Sequence, residues 1–283
     1  MGGPPARHPA LGVALTARDQ PIGVFDSGIG GLTVMHALME RLPNESLIYF
    51  GDTARVPYGP KSQATVTRFS TENVELLTRH AVKAIVVACN TATAFALPAL
   101  RERFDLPIVG VVGPGARAAA AATRSGRIGV IGTHGTIGSG AYEQALLALA
   151  PAFTVISRPC PLFVPLTEEG LTDHPATRLI AADYLAPFRA DAIDTLILGC
   201  THYPLLKAVI GDALGDGVRL IDSAEETARE VADLLTAKGL AREGGDPAYR
   251  YLVSDLPDQF LRVGQRFLGG RIGGVEVVSA GTA

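Results

Sequence analysis

The chain has 283 residues and a formal net charge of −3, so it lacks the basic surplus that indicates nucleic-acid binding. Hydrophobic residues make up 47% and charged residues 19%, a globular composition with room for one or two domains. No run of about 18 apolar residues occurs, which argues against a membrane-spanning helix. Residues 1–20 are rich in Gly and Pro and lack the apolar core of a secretory signal, so we expect a disordered N-terminal tail and a cytoplasmic protein.

Short apolar runs rich in Ile and Val alternate with segments of helical spacing, such as "TVMHALMERL" and "GAYEQALLALA". This alternation is typical of parallel sheets covered by helices, so the predicted fold class is α/β with mainly parallel sheets. In chain order, the predicted strands are Ile22–Phe25, Leu47–Phe50, Ile85–Ala88, Ile108–Val112, Ile128–Ile131, Thr154–Ile156, Leu196–Leu198 and Val218–Ile221.

The second four runs repeat the first four. "IGVFDSG" corresponds to "IGVIGTHG", "VPYG" to "VPLT" and "VVACNT" to "LILGCTH", at offsets of 106, 108 and 111 positions. Three similar offsets in the same order indicate two copies of one α/β unit, with chance similarity as the alternative. We predict a first domain over 21–113 plus 222–283 and a second domain over 114–221. The helical pattern "AEETAREVADLLTAKG" opens the C-terminal segment, which we expect to pack on the first unit.

Two of the three cysteines stand at the ends of predicted strands, namely Cys89 and Cys200. An odd number of cysteines without C-x-x-C spacing is neither a disulfide framework nor a zinc site, and a free cysteine is most often a small buried hydrophobe. We interpret Cys160, in "SRPCPLF", in that structural way. Sites in parallel sheets form at the carboxyl ends of strands, and polar residues follow Cys89 and Cys200 at once, which favours a functional role for both.

If the two units face each other across a cleft, the two thiols face each other as well. Two opposed thiols suit a racemase, which must remove a proton from one face of a carbon and return one to the other face. A free cysteine has a pKa of about 8.5, so each thiol needs a neighbour that takes or gives its proton. Candidate neighbours are Asp26 and Ser27 in "FDSGIGG", His202 in "CTH", and Glu168 or Glu169 in "VPLTEEG". Alternatively, Asp26 is a helix N-cap and His202 a capped or satisfied surface imidazole.

The sequence does not indicate a cofactor. "DSGIGG" and "GVVGPGA" match neither a dinucleotide fingerprint nor a Walker loop, and we interpret their glycines as serving tight strand-to-helix turns. No residue pair has convincing metal-ligand spacing. None of the four lysines stands in a context that argues for a pyridoxal Schiff base; they are Lys61, Lys83, Lys207 and Lys238. We therefore expect chemistry without a metal or cofactor.

Six motifs together resemble the bacterial glutamate racemases, a family of the cofactor-independent Asp/Glu racemase superfamily. They are "IGVFDSGIGGLTV", "YFGDTARVPYG", "VVACNTATA", "GVIGTHGTI", "FVPLTEEG" and "LGCTHYPLL", and they span most of residues 22–223 in the family's order. The closing "YLVSDLPDQFLRVGQRFLG" is similar to the family's C-terminal segment. The combination of "ACNT" and "GCTH" is the most specific part, whereas residues 1–20 have no counterpart in the family pattern.

The resemblance implies two pseudo-symmetric α/β domains with L- or D-glutamate in the cleft between them. It implies that D-glutamate feeds peptidoglycan synthesis, and hence cell-wall biogenesis and cell shape. It also implies a homodimer that needs neither metal nor pyridoxal phosphate.

Roles for individual residues follow from the same resemblance. Cys89 and Cys200 would be the two catalytic acid/bases, Asp26 would be the partner of Cys89, and His202 with Glu168 would be the partner of Cys200. The residues implied to contact substrate are Asp26, Ser27, Pro57, Tyr58, Gly59, Asn90, Thr91, Thr133, Thr136, Thr201 and His202.

Three other functions compete with this prediction. Relatives that act on aspartate tend to carry Glu at the position of His202, so "CTHY" favours glutamate, although one methylene in a pocket gives only about 10–200-fold discrimination. A non-catalytic amino-acid-binding protein does not need two thiols. A thiol-redox enzyme would be expected to carry C-x-x-C or a resolving cysteine nearby.

Overall fold

A computed structural model describes residues 16–268 and 272–280 of the chain. Most of the predicted disordered tail, residues 1–15, lies outside the described residues. Residues 16–20, which we assigned to that tail, form a turn. The Thr16 hydroxyl donates to Asp19 at 2.6 Å, and the buried Lys83 Nζ donates to the Arg18 carbonyl at 2.6 Å. These contacts attach the turn to the body of the protein.

The first sheet has six parallel strands in the order β10-β9-β2-β1-β3-β4. Its strands are β1 (Ile22–Asp26), β2 (Leu47–Gly51), β3 (Ala84–Val87), β4 (Ile108–Gly110), β9 (Tyr249–Val253) and β10 (Glu276–Val277). The second sheet has four parallel strands in the order β6-β5-β7-β8. Its strands are β5 (Arg127–Gly132), β6 (Thr154–Pro159), β7 (Thr195–Gly199) and β8 (Arg219–Asp222).

Helices connect these strands and cover both sheets. They are α1 (Leu32–Arg41), α2 (Gln63–Thr78), α3 (Asn90–Arg103), α4 (Val112–Ala122), α5 (His134–Gly138), α6 (Ala141–Leu149), α7 (Phe163–Glu168), α8 (Pro175–Ala190), α9 (Lys207–Leu214), α10 (Ser223–Ala237) and α11 (Pro257–Leu268). Two 3₁₀ turns complete the architecture, over Thr53–Arg55 and Tyr203–Leu206.

Burial on both faces explains why the central strands are continuous apolar runs. Successive residues of β1 pack into different clusters, with Val24 on one face of the sheet and Phe25 on the other. The second sheet likewise has one cluster on each face, around Leu196 and Ile197. A strand covered on both sides gains from an apolar side chain at every position, so it loses the alternation of a half-exposed strand.

The α/β prediction with two mainly parallel sheets is confirmed, and all eight predicted strands occur. Two predicted strand ends differ by more than one residue. β6 continues past the predicted end at Ile156 to Pro159. The run predicted as a strand over Ile108–Val112 ends as β4 at Gly110 and continues as α4 from Val112. Both the strand end and the first helical turn are buried, so an apolar run alone does not mark the change.

The C-terminal segment returns to the first sheet. β9 pairs with β2, and α10 and α11 pack against α1. The chain therefore passes between the two sheets twice, once from β4 through α4 to β5 and once from β8 through α10 to β9. The domain limits themselves, 21–113 plus 222–283 and 114–221, stay a prediction.

Candidate active site

Cys89 lies at the carboxyl end of β3, where the chain turns into α3. It is the N-cap of that helix, and its sulfur accepts a hydrogen bond from the Ala92 N–H at 3.4 Å. Only 6% of the residue is exposed. Burial, together with the negative charge of Asp26, raises the pKa of Cys89 to about 12, against the opposing effect of the Ala92 N–H. At neutral pH the group is therefore a thiol.

Asp26 ends β1 and is fully buried. It does not cap α1, because that helix begins after Gly31 without a side-chain cap. Its Oδ2 accepts from the Gly28 N–H at 2.9 Å, while its Oδ1 has no hydrogen-bond partner among the described residues. Burial raises the pKa of Asp26, and the positive charge of His202 and the Gly28 N–H oppose the rise.

Cys200 holds the matching place in the second sheet, directly after β7, and is 7% exposed. His202 connects its thiol to a carboxylate, with Nδ1 3.8 Å from the Cys200 sulfur and Nε2 2.9 Å from Glu168 Oε1. Glu169, the alternative from sequence, is exposed at the end of α7. Of the two glutamates, Glu168 therefore makes the contact with the imidazole.

His202 is itself buried, at 6% exposure, and is not a surface imidazole. Burial alone would lower its pKa, but hydrogen bonds with Cys200 and Glu168 outweigh that effect and raise the pKa to about 10. A cationic imidazole at neutral pH has two N–H donors, one for each neighbour.

The loop after β1 touches the cysteine loop of the second sheet. A Cβ placed on Gly30 would lie 2.3 Å from Thr201 Oγ1 and 2.4 Å from His202 Nδ1. Gly30 lies in the turn between β1 and α1, as predicted, but it has no positive φ, so the turn conformation alone does not require a glycine. It is required by the close approach of the two loops. Nearby, Thr33 Oγ1 donates to the Thr201 carbonyl at 3.1 Å.

The loop after β2 closes another side of the cleft. The Gly135 N–H donates to the Gly59 carbonyl at 2.8 Å, which joins this loop to α5. The side chain of Tyr58 points away from the cleft, because its hydroxyl donates to the buried Asp52 carboxylate and accepts from Asn73 Nδ2. Only 1% of the residue is exposed, and the cavity described below is lined by its neighbours Pro57 and Gly59 instead.

Three threonine hydroxyls from the two halves meet in one triangle. Thr91 Oγ1 lies 2.9 Å from Thr133 Oγ1 and 3.0 Å from Thr136 Oγ1, and the last two are 3.1 Å apart. Beside them, Asn90 Oδ1 accepts from the Tyr142 hydroxyl at 2.7 Å. Hydroxyls and amides of this kind are suited to hold carboxylate and ammonium groups.

A cavity of about 400 Å³ opens above these residues. The predicted site residues that line it are Ser27, Pro57, Gly59, Thr133, Glu168 and His202. The two cysteines, Asn90 and Thr91 are buried and do not line it. The cavity mouth is largely apolar, with contributions from Val56, Val164 and Pro165. A larger cavity of about 590 Å³ contains none of the predicted site residues.

The described residues form neither a metal-binding cluster nor a membrane-spanning helix. Within residues 16–268 and 272–280, no three His, Cys, Asp or Glu side chains are grouped in a way that would hold a metal ion. In the same part of the chain, no helix combines the length and apolarity needed to cross a membrane.

Comparison with known proteins identifies the family. Residues 22–231 match the family model described as Asp/Glu/Hydantoin racemase. The chain belongs to this racemase family. A curated relative from Geobacter metallireducens, named glutamate racemase, is 56% identical over 259 residues, which is 91% of this chain and 96% of the relative.

Solved structures of the family agree with the fold. The crystal structure of glutamate racemase isoform RacE1 from Bacillus anthracis has a TM-score of 0.90 at 45% identity, covering 93% of this chain and 98% of that one. Glutamate racemase from Francisella tularensis in complex with D-glutamate has a TM-score of 0.88 at 41% identity, covering 93% and 99%.

Sequence reasoning missed some residues that shape the site in this racemase-family chain. Tyr49, within β2, donates its hydroxyl to the Gly28 carbonyl at 2.9 Å and so supports the loop after Asp26. Tyr142 reaches Asn90 from α6. Both stand in segments whose apolar pattern predicts only core packing, so no local signal marks their hydroxyls.

Proposed function

We propose that this chain is a glutamate racemase, which interconverts L- and D-glutamate with Cys89 and Cys200 as its two acid/bases. One observation carries the proposal. Two buried thiols lie at equivalent strand ends of two sheets, and each has a different proton-exchanging group beside it. The charge of Asp26 raises the pKa of Cys89, and His202 contacts the sulfur of Cys200. The two thiols are close enough for a charge on Cys200 to raise the pKa of Cys89.

In the proposed reaction, one cysteine is a thiolate and the other a thiol. The thiolate takes the Cα proton and becomes an S–H group, leaving the C–H electron pair on Cα, where the adjacent carboxylate delocalises it. The opposite thiol then gives its proton to the other face of Cα, and its S–H electron pair remains on sulfur as a thiolate. Atoms and charge balance, and the cysteines have exchanged protonation states.

The partners adjust each thiol to this exchange. Asp26, whose Oδ1 is free of partners among the described residues, accepts or relays a proton on the Cys89 side. His202 as a cation stabilises thiolate at Cys200, and Glu168 holds the imidazole in place through Nε2. The Ala92 N–H and the start of α3 favour negative charge at Cys89 when it forms.

Glutamate is supported as the substrate by the family relatives and by the D-glutamate complex of the Francisella tularensis structure. In this chain the threonine triangle and the Asn90 amide supply the donors for carboxylate groups. A cavity of about 400 Å³ accommodates a small amino acid. D-glutamate made in this way would supply peptidoglycan synthesis in the cytoplasm, with the enzyme as a homodimer.

The test is proton NMR of L-glutamate in D₂O with the purified protein, alongside L-aspartate. Loss of the glutamate Cα–H signal with formation of D-glutamate is the expected result, and it should persist after dialysis against a chelator. Exchange of the Cα–H of aspartate but not of glutamate would make the chain an aspartate racemase instead. Binding of glutamate without any exchange would overturn the two-thiol reaction.

A further inference from the structure

Tyr142 of α6 makes a polar contact across the two halves of the site. The residue is 2% exposed, and its hydroxyl donates to Asn90 Oδ1 at 2.7 Å. Asn90 is the first residue of α3, directly after Cys89, and is 3% exposed. A tyrosine of the second sheet's helices thus holds a residue beside the thiol of the first sheet.

The direction of this bond decides which way the Asn90 amide faces. A side-chain amide has one acceptor oxygen and one donor nitrogen on opposite branches, so a donor at Oδ1 fixes both positions. In this contact the Tyr142 hydroxyl donates and Asn90 Oδ1 accepts, which leaves Nδ2 on the other branch of the amide. Burial raises the pKa of Tyr142, so the hydroxyl keeps the proton that it donates.

The other branch of the amide is a buried donor without a partner. Among the described residues, none hydrogen-bonds to Asn90 Nδ2. A buried N–H donor without a partner destabilises the protein, because the group has lost its hydrogen bonds to water, unless a ligand supplies an acceptor. Of the amide's two ends, the structure fills the one that faces Tyr142 and leaves the other for an acceptor from outside the chain.

The same hydroxyl stands where the chain crosses between the sheets. Ser223 begins α10 at the second crossover, and Gly115 lies in α4 at the first. A Cβ placed on Gly115 would lie 3.4 Å from the Tyr142 oxygen and 3.3 Å from Ser223 Cβ. Gly115 of the first crossover helix therefore lies against both Tyr142 and Ser223, the first residue of the second crossover helix.

We infer that Tyr142 is a positioning residue, which holds the Asn90 amide with Nδ2 presented to a carboxylate oxygen of the substrate. This inference rests on the proposed function and extends it to a residue that does not touch the substrate. Because Tyr142 belongs to one half of the site and Asn90 to the other, the amide takes this orientation only when the two halves are in the arrangement seen here.

The test is a double-mutant cycle between Tyr142→Phe and Asn90→Ala, with glutamate racemisation as the assay. Tyr142→Phe should lower kcat/KM about tenfold, mainly through a higher KM, because a donor to a carboxylate acts on bound substrate as well as in the transition state. Asn90→Ala should cost more. The double variant should be no worse than Asn90→Ala alone.

Tyr203→Phe is the matched control. Tyr203 is also a buried tyrosine of the second half, and its hydroxyl donates at 2.8 Å to a backbone carbonyl, that of Cys160. Loss of the Tyr203 hydroxyl should lower the melting temperature about as much as Tyr142→Phe does. KM, and the loss of activity caused by Asn90→Ala, should stay as they are without the Tyr203 change.

Two results would overturn this inference alone. One is an unchanged KM in Tyr142→Phe, and the other is a double variant in which the losses of kcat/KM from Tyr142→Phe and Asn90→Ala add in full. Either outcome would leave glutamate turnover by the wild type intact and so would spare the proposed function. A wild-type protein that exchanges the Cα–H of neither glutamate nor aspartate would overturn both.

Discussion

The two cysteine sites occupy equivalent places in the two sheets but differ in their surroundings. Cys89 is the N-cap of a regular α-helix, α3, and lies near a buried carboxylate, Asp26. Cys200 is followed by a 3₁₀ turn and contacts an imidazole, His202, which a second carboxylate holds. The position of the thiol is shared, whereas the group that exchanges protons with it is not.

This difference places unlike charges beside the two thiols. With a pKa of about 12, Cys89 is protonated at neutral pH and ready to donate. With a pKa of about 10, His202 is a cation at neutral pH, and its Nδ1 lies 3.8 Å from the Cys200 sulfur. A reaction that needs one thiol and one thiolate is therefore favoured by unlike partners, which two identical copies of the unit would not supply.

The largest expected effect comes from removing either thiol. Cys89→Ser and Cys200→Ser should each reduce kcat at least about 10³-fold, because a hydroxyl is a far weaker acid than a thiol and general acid–base catalysis contributes about 10²–10⁴-fold. Cys160→Ser is the control: this thiol is also fully buried, yet we assign it no catalytic role. The measurement is the racemisation rate of each of the three serine variants relative to that of the wild type. A serine variant at Cys89 or Cys200 that keeps a tenth of wild-type turnover would break the two-thiol account.

A smaller effect is expected from removing the negative charge that contacts His202, the imidazole beside Cys200. Glu168→Gln removes one of the groups that raise the pKa of His202, so the imidazole should lose its proton at lower pH. We expect kcat/KM to fall about tenfold, and its alkaline decline to begin at a lower pH than in the wild type. The pH profile of kcat/KM measures both.

Glu169→Gln provides the control for that prediction, because the neighbouring carboxylate is exposed at the end of the same helix. It should leave the rate and the pH profile as in the wild type. Equal effects of the two substitutions would mean that general charge near the cleft, and not the contact with His202, controls the profile.

The smallest expected effect is on stability. The folded pKa of His202, about 10, lies above its unfolded value of about 6.5, so the folded state binds the proton more tightly. The resulting stabilisation is complete below pH 6.5 and is lost as the pH rises toward 10. The melting temperature of the wild type should therefore fall by a few degrees more than that of His202→Gln between pH 6 and pH 9.5. Parallel curves for the two proteins would contradict the raised pKa.

The positions of the two thiols were predictable because they depend on strand ends. Buried parallel strands are apolar throughout, so the polar residues after Val87 and after Gly199 mark the edge of each sheet where sites form. The internal repeat indicated that the two edges belong to related units. Much of the fold and the candidate thiols therefore followed from local pattern.

Contacts between distant segments were not predictable in this way. Position 30 requires glycine because Thr201 and His202 lie too close for a Cβ atom. The residues around position 30 in the sequence do not indicate that contact. The reach of Tyr142 to Asn90 likewise spans 52 positions. Spacing alone left Glu168 and Glu169 open, and only the resemblance to the family motif favoured Glu168, which is the one that contacts His202. Such facts arise from tertiary packing, which a single sequence states only indirectly.

The central claim is that two different groups handle the proton on the two faces of Cα. Its most direct test is racemisation of L-glutamate in D₂O, stopped at low conversion, with the deuterium content of both enantiomers measured after chiral separation. The account predicts D-glutamate that is fully deuterated at Cα, while the remaining L-glutamate keeps its proton. D-glutamate that carries the substrate's own proton would mean that one group serves both faces, and would contradict the account.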